Sequence, residues 1–254
     1  MATTSNYEIP QVMTRRTYTL YFVNWQRTIS LEERDGQKVV VKRNKSTTEF
    51  HEYILFGTYV AISILLAHPS PPPMPGGIAR NEGHEMRETL GRLGVKTPRL
   101  LLISGDMLIE EYIEGGDLYR AFASGAAGAS LALAAGSLTG LMHGRGYVFT
   151  DNKAQNFLVR EGELLRTDLG FIQEKKSTFA RSMDVGSFLA SIMDLPSYRE
   201  LEKAFYDGYK RHAGKFPYLS LAIRNILTTG FASDSKTAVK NMMIADSAKL
   251  LGDS

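Results

Sequence analysis

The sequence predicts an α+β fold of two lobes: a small antiparallel β-sheet with one or two helices, then a helical lobe. Three observations predict it. Runs of β-branched and aromatic residues crowd the chain up to Ile113. Ala- and Leu-rich helical spacing takes over from Leu118. The glycine pair Gly115-Gly116 falls between the two patterns, so the expected lobes are 1–114 and 115–254 with a cleft between them. Clefts between lobes are where ligands usually bind.

Composition agrees with that fold and limits the function. At 254 residues and 43% hydrophobic, the chain has material for a real core, and 22% charged residues does not mark it as disordered. The formal charge of +3, from 30 basic and 27 acidic residues, suits an anionic ligand and equally a plain solvated surface. With no cysteine, disulfides and thiolate metal sites are excluded and a cytoplasmic setting is expected. Met1 to Arg16 is polar and lacks the apolar core of a signal peptide.

Thr17 to Val23 is expected as a strand, followed by Thr28 to Leu31, a turn at Asp35-Gly36, and a strand ending Val39-Val40-Val41-Lys42. A helix is expected over about 47–67. Within it, Tyr53 to Ala67 has no charge, but its fifteen residues fall short of the about 20 that span a bilayer. It ends at the breaker His68-Pro69-Ser70-Pro71-Pro72-Pro73 and reads as a buried or partner-packed helix. Ile78 to Leu93 follows as a helix, with Met86, Leu90 and Leu93 at helical spacing and Gly94 closing it. Arg99 to Ile103 and Met107 to Ile113 are the next strands. Leu118 to His143 is helical, interrupted at Gly125 and Gly128. Tyr147 to Thr167 reads as loop and short hairpin, and the chain from about Met183 onward as helices.

The chemistry concentrates in Asp151-Asn152-Lys153-Ala154-Gln155-Asn156, which opens the apolar run Phe157-Leu158-Val159. A hydroxyl nucleophile needs a carboxylate to orient it and accept its proton. An amide oxygen nearby can hold magnesium, and a lysine can neutralise charge on a transferred phosphoryl group. The spacing brings all three onto one tight loop, although Asp and Asn in a polar turn also serve as plain turn formers. Thr167-Asp168-Leu169-Gly170 follows about a dozen residues after Asn156.

These segments resemble the motifs of the protein-kinase-like superfamily, so the expected fold is a two-lobed protein-kinase-like one. The resemblance implies roles residue by residue. Asp151 and Lys153 would be catalytic, and Asn156 and Asp168 would hold magnesium. Lys42 would contact the ATP phosphates, with Glu82 as its ionic partner and Glu85 in reserve. Leu108 to Leu118 resembles the hinge: the Glu111 carbonyl and Ile113 amide would meet adenine, and Asp117 would accept a ribose hydroxyl or cap the next helix. Glu110 would stand beside the adenine pocket, where an apolar residue is more usual. His143, in Leu141-Met142-His143-Gly144-Arg145-Gly146, is a structural landmark, and Asp184 would bond the catalytic-loop backbone.

The resemblance spans Lys42 to Leu189 and is closest to small atypical members, the RIO kinases and the kinase of the KEOPS tRNA-modification complex. Only about fifteen residues separate Asp168 from Asp184, with no Ala-Pro-Glu, and Gly94-Val95 precedes Pro98 as in those families. The chain departs from the pattern in three places. No Gly-x-Gly-x-x-Gly covers the phosphates, where the turn near Asn24-Trp25-Gln26-Arg27 stands instead. Phe149-Thr150 precedes Asp151. About forty residues separate Lys42 from Glu82, because Thr47 to Gly77 is inserted. The implied function is ATP- and magnesium-dependent phosphoryl transfer to a serine or threonine of a protein. A small-molecule phosphotransferase of the aminoglycoside type, or a weakly active ATPase or pseudokinase subunit docking through Tyr53 to Ala67, are the alternatives. No direct nucleic-acid signal stands out.

Overall fold

The computed structural model describes residues 27–44, 80–104, 107–125, 128–231 and 234–250. It is an α+β fold in which a small antiparallel sheet precedes a helical part. Strands β1 (Arg27–Arg34) and β2 (Gln37–Asn44) form a hairpin. The turn residues Asp35 and Gly36 have φ of 51° and 74°, the primed geometry that matches strand twist and that Asp-Gly favours. Gly36→Ala is expected to cost about 1 kcal/mol, the order of the penalty on an L side chain in the left-handed region. The check is a lowered urea midpoint at unchanged slope.

Strands β3 (Leu100–Ser104) and β4 (Met107–Glu111) complete a sheet of order β1-β2-β4-β3, antiparallel throughout. Strand β2 thus lies between β1 and β4, with Val41 opposite Ile109 and Lys42 opposite Leu108. Alternation across the pleat then divides the residues. Val39, Val41 and Ile109 form a small apolar cluster on one face. Lys42, Leu108 and Glu110 share the other face. This register aims Lys42 at the site described below.

Helix α1 (His84–Arg92) is shorter than the expected 78–93. Gly83 is extended, with ψ of −168°, and breaks the helical run, so Glu82 lies in a turn before the helix. The C-terminal end matches expectation. Gly94 has φ of 81°, its N–H donates to the Gly91 carbonyl, and the Val95 N–H donates to Leu90. That is a Schellman closure, and Leu90 and Val95 are both buried in the core.

The helical part begins with α2 (Leu118–Ala123) and α3 (Gly128–Gly144), separated around Gly125, whose φ is 75°. Then come β5 (Tyr147–Val148), a 3₁₀ turn at Ala154–Asn156, and the hairpin β6 (Phe157–Arg160) and β7 (Glu163–Arg166). A second 3₁₀ turn, Leu169–Phe171, leads to β8 (Gln173–Glu174), which pairs with β5. Helix α4 (Thr178–Ser191) starts ahead of the expected Met183 because Ser177 caps it, its hydroxyl accepting from the Ala180 N–H. Helices α5 (Tyr198–Ala213), α6 (Ser220–Phe231) and α7 (Ser235–Leu250) follow.

Helices α3 and α5 run parallel and touch at the backbone. A Cβ on Gly136 would overlap the Phe205 carbonyl, and one on Gly208 the Leu133 carbonyl. Phe149, Phe157 and Phe188 then meet edge to face in series, and Phe188 stacks on Phe205 with ring centroids 4.2 Å apart. The series ties the 149–157 segment to α4 and α5. The expected strand at Thr17 to Val23, the turn at Asn24 to Gln26 and the helix over 47–67 lie outside the described residues. No helix among the described residues is long and apolar enough to cross a membrane.

Candidate active site

The 149–156 loop is suspended from α4. Asp184, fully buried, accepts from the Phe149 N–H at 2.6 Å and the Thr150 N–H at 2.7 Å. Its Oδ2 also meets His143 Nε2 at 3.1 Å, while His143 Nδ1 meets the Tyr209 hydroxyl at 2.9 Å. Burial pushes the Tyr209 hydroxyl far above its ordinary range, so it stays a donor. The Asp184 carboxylate can only accept, so the imidazole carries a proton on Nε2, toward it. Thr150 has φ of 65°, an outlying conformation for a β-branched residue. Asp184 holds its N–H, and Gln173 Nε2 donates to its hydroxyl at 3.2 Å. Strained backbone of this kind persists where the surroundings over-determine it.

Asp151, Lys153 and Asn156 meet on this loop. Lys153 Nζ lies 2.8 Å from Asp151 Oδ1, and Asn156 Nδ2 donates to both Asp151 Oδ2 and the Asp151 carbonyl at 2.8 Å. These bonds orient the Asn156 amide through its Nδ2, and its Oδ1 is an acceptor. Asp168 stands nearby in the left-handed region, with φ of 58°, and the preceding Thr167 N–H donates to the Asn156 carbonyl at 3.1 Å. Asn156 Oδ1 and the Asp168 carboxylate are hard oxygen donors, suited to magnesium, which takes one or two protein ligands beside substrate phosphates.

Lys42 is buried and enters the same region from β2. Its Nζ lies 3.0 Å from Glu110 and 3.9 Å from Glu82, and it donates to the Thr167 hydroxyl at 3.3 Å. Burial pulls the Lys42 ammonium down, but Glu110, Glu82 and Asp168 more than offset this and hold it above its ordinary value. Glu82, rather than the exposed Glu85, faces the lysine. Glu110, expected beside the adenine pocket, is a second partner and lies nearer still. The register decides this, because Glu110 and Lys42 share a face of adjacent strands. Arg87 bonds Glu110 from the other side and approaches Glu82 at 3.8 Å, making a buried quartet of two cations and two carboxylates.

The segment expected to meet adenine lies beside β6. A Cβ on Gly115 would overlap the Val159 carbonyl, and the Val159 N–H donates to Gly116. Glu111 donates its N–H to the Arg99 carbonyl and bonds Arg160 through its side chain at 3.1 Å. Ile113 is buried. Asp117 caps α2, accepting from the Arg120 N–H at 2.9 Å. Burial raises the Asp117 carboxyl above its unfolded 3.8. Stability from this group is therefore greatest below that value and falls as pH rises through the raised one. Asp117→Asn keeps the cap. It is expected to gain stability over wild type as pH rises through the raised value, read from urea midpoints.

Several residues of the site carried no signal in isolation. Asn81 Nδ2 donates to the Gly170 and Ile172 carbonyls, and Glu82 Oε1 accepts from the Gly170 N–H at 3.0 Å. Together they clasp the turn after Asp168. Arg87 and Arg166 are also drawn in, and the one visible clue to Arg166 was a charge ending the apolar pair Leu164-Leu165.

No family model matches the chain. Among curated proteins it is similar to a probable bifunctional tRNA threonylcarbamoyladenosine biosynthesis protein of Methanoculleus marisnigri, at 30% identity over 122 residues. The match covers 48% of this chain and only 22% of that relative's length. Among solved structures it is similar to WaaP in complex with acyl carrier protein, with a TM-score of 0.47 and 16% identity, over 87% of this chain and 85% of the other.

Proposed function

We propose that this chain is an ATP- and magnesium-dependent phosphotransferase of the protein-kinase-like fold, acting on a serine or threonine hydroxyl of a protein. One observation carries the reading: a buried lysine, two magnesium-type oxygen donors and a loop carboxylate with its own lysine converge on one site. The short match to the tRNA threonylcarbamoyladenosine biosynthesis protein supports a phosphotransferase reading.

Each residue then has a task. Lys42 turns from Glu110 to the α- and β-phosphates, while Arg87 remains to neutralise Glu110. Asn156 and Asp168 would hold magnesium, which supplies neutralisation of phosphate charge when bound. Asp151 orients the acceptor hydroxyl and takes its proton. Lys153, resting on Asp151, would meet charge on the transferred group. Glu111 and Ile113 would offer adenine their backbone groups, and Asp117 would offer the ribose its second oxygen.

A small-molecule hydroxyl is the second acceptor class. It is favoured by the segment from Asp168 to Asp184, which is consumed by a 3₁₀ turn, β8 and α4 and leaves no long loop for a peptide. The deciding experiment is transfer of labelled γ-phosphate from magnesium-ATP, with generic proteins and then small alcohols as acceptors. Label on protein is the expected result. ADP release with small alcohols alone would favour the second class. Absence of both label and an ATP-dependent rise in melting temperature would reject the phosphotransferase reading.

A further inference from the structure

We propose that Arg166 is a positioning residue of this site, a buried guanidinium that pins the backbone of Asp151 and balances the carboxylates gathered around it. The inference rests on the phosphotransferase reading and deepens it. Arg166 ends β7 directly after the buried Leu164 and Leu165, a place where an apolar side chain would pack without carrying charge into the interior. It is 0% exposed.

Its contacts converge on the loop. Nη2 donates to the Asp151 carbonyl at 2.8 Å. Asn156 donates to that same oxygen, so one atom joins the candidate base, the candidate metal residue and the arginine. The guanidinium lies 4.5 Å from the Phe149 ring centroid and 5.0 Å from that of Phe157, the rings at the two ends of the loop. Such stacking suits a planar, weakly hydrated cation and not an ammonium. Residue 166 is itself immobilised, because its N–H donates to the Lys96 carbonyl at 2.7 Å. Asp151, Asp168, Asp184 and Glu82 all act on its charge, against the burial that pulls it down.

Two consequences follow. Asp151 and Asp168 both act on the Arg166 charge, so one fixed cation serves the two carboxylates before any ligand arrives. The two remaining donors, Nε and Nη1, are buried with no hydrogen-bond partner among the described residues. A purely structural role would not leave them so, since an apolar side chain would avoid burying unpaired donors altogether. Replacing a buried charge by a well-packed apolar side chain is often neutral or stabilising. Arg166→Met should therefore separate the two roles.

The test compares wild type, Arg166→Met and Arg166→Lys as full chains. In Arg166→Met we expect an unchanged melting temperature, a KM for ATP within about twofold of wild type, and a kcat lower by about 10- to 100-fold, as for a misplaced catalytic group. Arg166→Lys should recover part of the charge but not the stacked fork, and fall between. An undiminished kcat in folded Arg166→Met would overturn the proposal, as would equal losses of kcat and melting temperature in both variants. If wild type transfers no phosphate, the phosphotransferase reading has failed on its own, and hydrogen exchange decides about Arg166. Amides 149–156 should then exchange at least about tenfold faster in Arg166→Met while α3 and α5 keep their protection. Unchanged exchange in that loop would overturn it.

Discussion

Asp151→Ala is expected to slow phosphoryl transfer by about 10²- to 10⁴-fold, the usual contribution of a positioned proton acceptor. The Asp151 side chain sits between Lys153 on Oδ1 and Asn156 on Oδ2. Removing it takes away the group that orients the hydroxyl and breaks the contacts on Oδ1 and Oδ2. Because the Asp151 carbonyl keeps its bonds from Asn156 and Arg166, the loop backbone should hold. The KM for ATP should therefore stay within a few-fold of wild type, placing the loss in kcat. Single-turnover transfer at saturating ATP, beside a melting curve, checks this. Full activity in a folded Asp151→Ala protein would remove Asp151 from the chemistry and leave the reading without its base.

Asp184→Ala should destabilise the fold by about 3–5 kcal/mol, since it leaves three buried donors unsatisfied at about 1–3 kcal/mol each. Its carboxylate satisfies two backbone N–H groups and one imidazole N–H, all in the interior. Alanine would leave those donors unpaired, and buried donors cannot turn to water. It would also release Thr150 from one of the two bonds that hold its left-handed backbone. For a chain of this size each kcal/mol moves the melting temperature by about 2–4 °C, so a fall of about 10 °C is expected. Asp184→Asn keeps one acceptor oxygen and should lose less. A melting temperature within about 2 °C of wild type in Asp184→Ala would show that the suspension of the loop is not what the geometry implies.

Local features were legible along the chain. Asp35-Gly36 encodes its turn because Gly tolerates a positive φ and Asp is among the residues that do so best. Gly94 announces the end of α1 for the same reason. Short apolar runs mark β2 and β4, and the close set of Asp151, Lys153 and Asn156 places three chemically distinct groups on one loop. The start of α1 was misjudged because Leu90 and Met86 continue a helical spacing that says nothing of the extended backbone at Gly83.

The sequence by itself determined the order of elements, the turns and the loop that bears the candidate chemistry, since these depend on neighbours a few residues apart. Only the tertiary structure decided which charges meet. Lys42 bonds Glu110 because β2 and β4 pair in one register, and a shift of one residue would turn the two to opposite faces. Arg166 lies beneath Asp151 because the β6–β7 hairpin folds back along the loop, and Asp184 reaches Phe149 and Thr150 from another helix. The energies of such contacts come from burial, where low dielectric makes a charge costly alone and strongly held when paired. Burial is a property of the assembled core, so no stretch of the chain carries it alone.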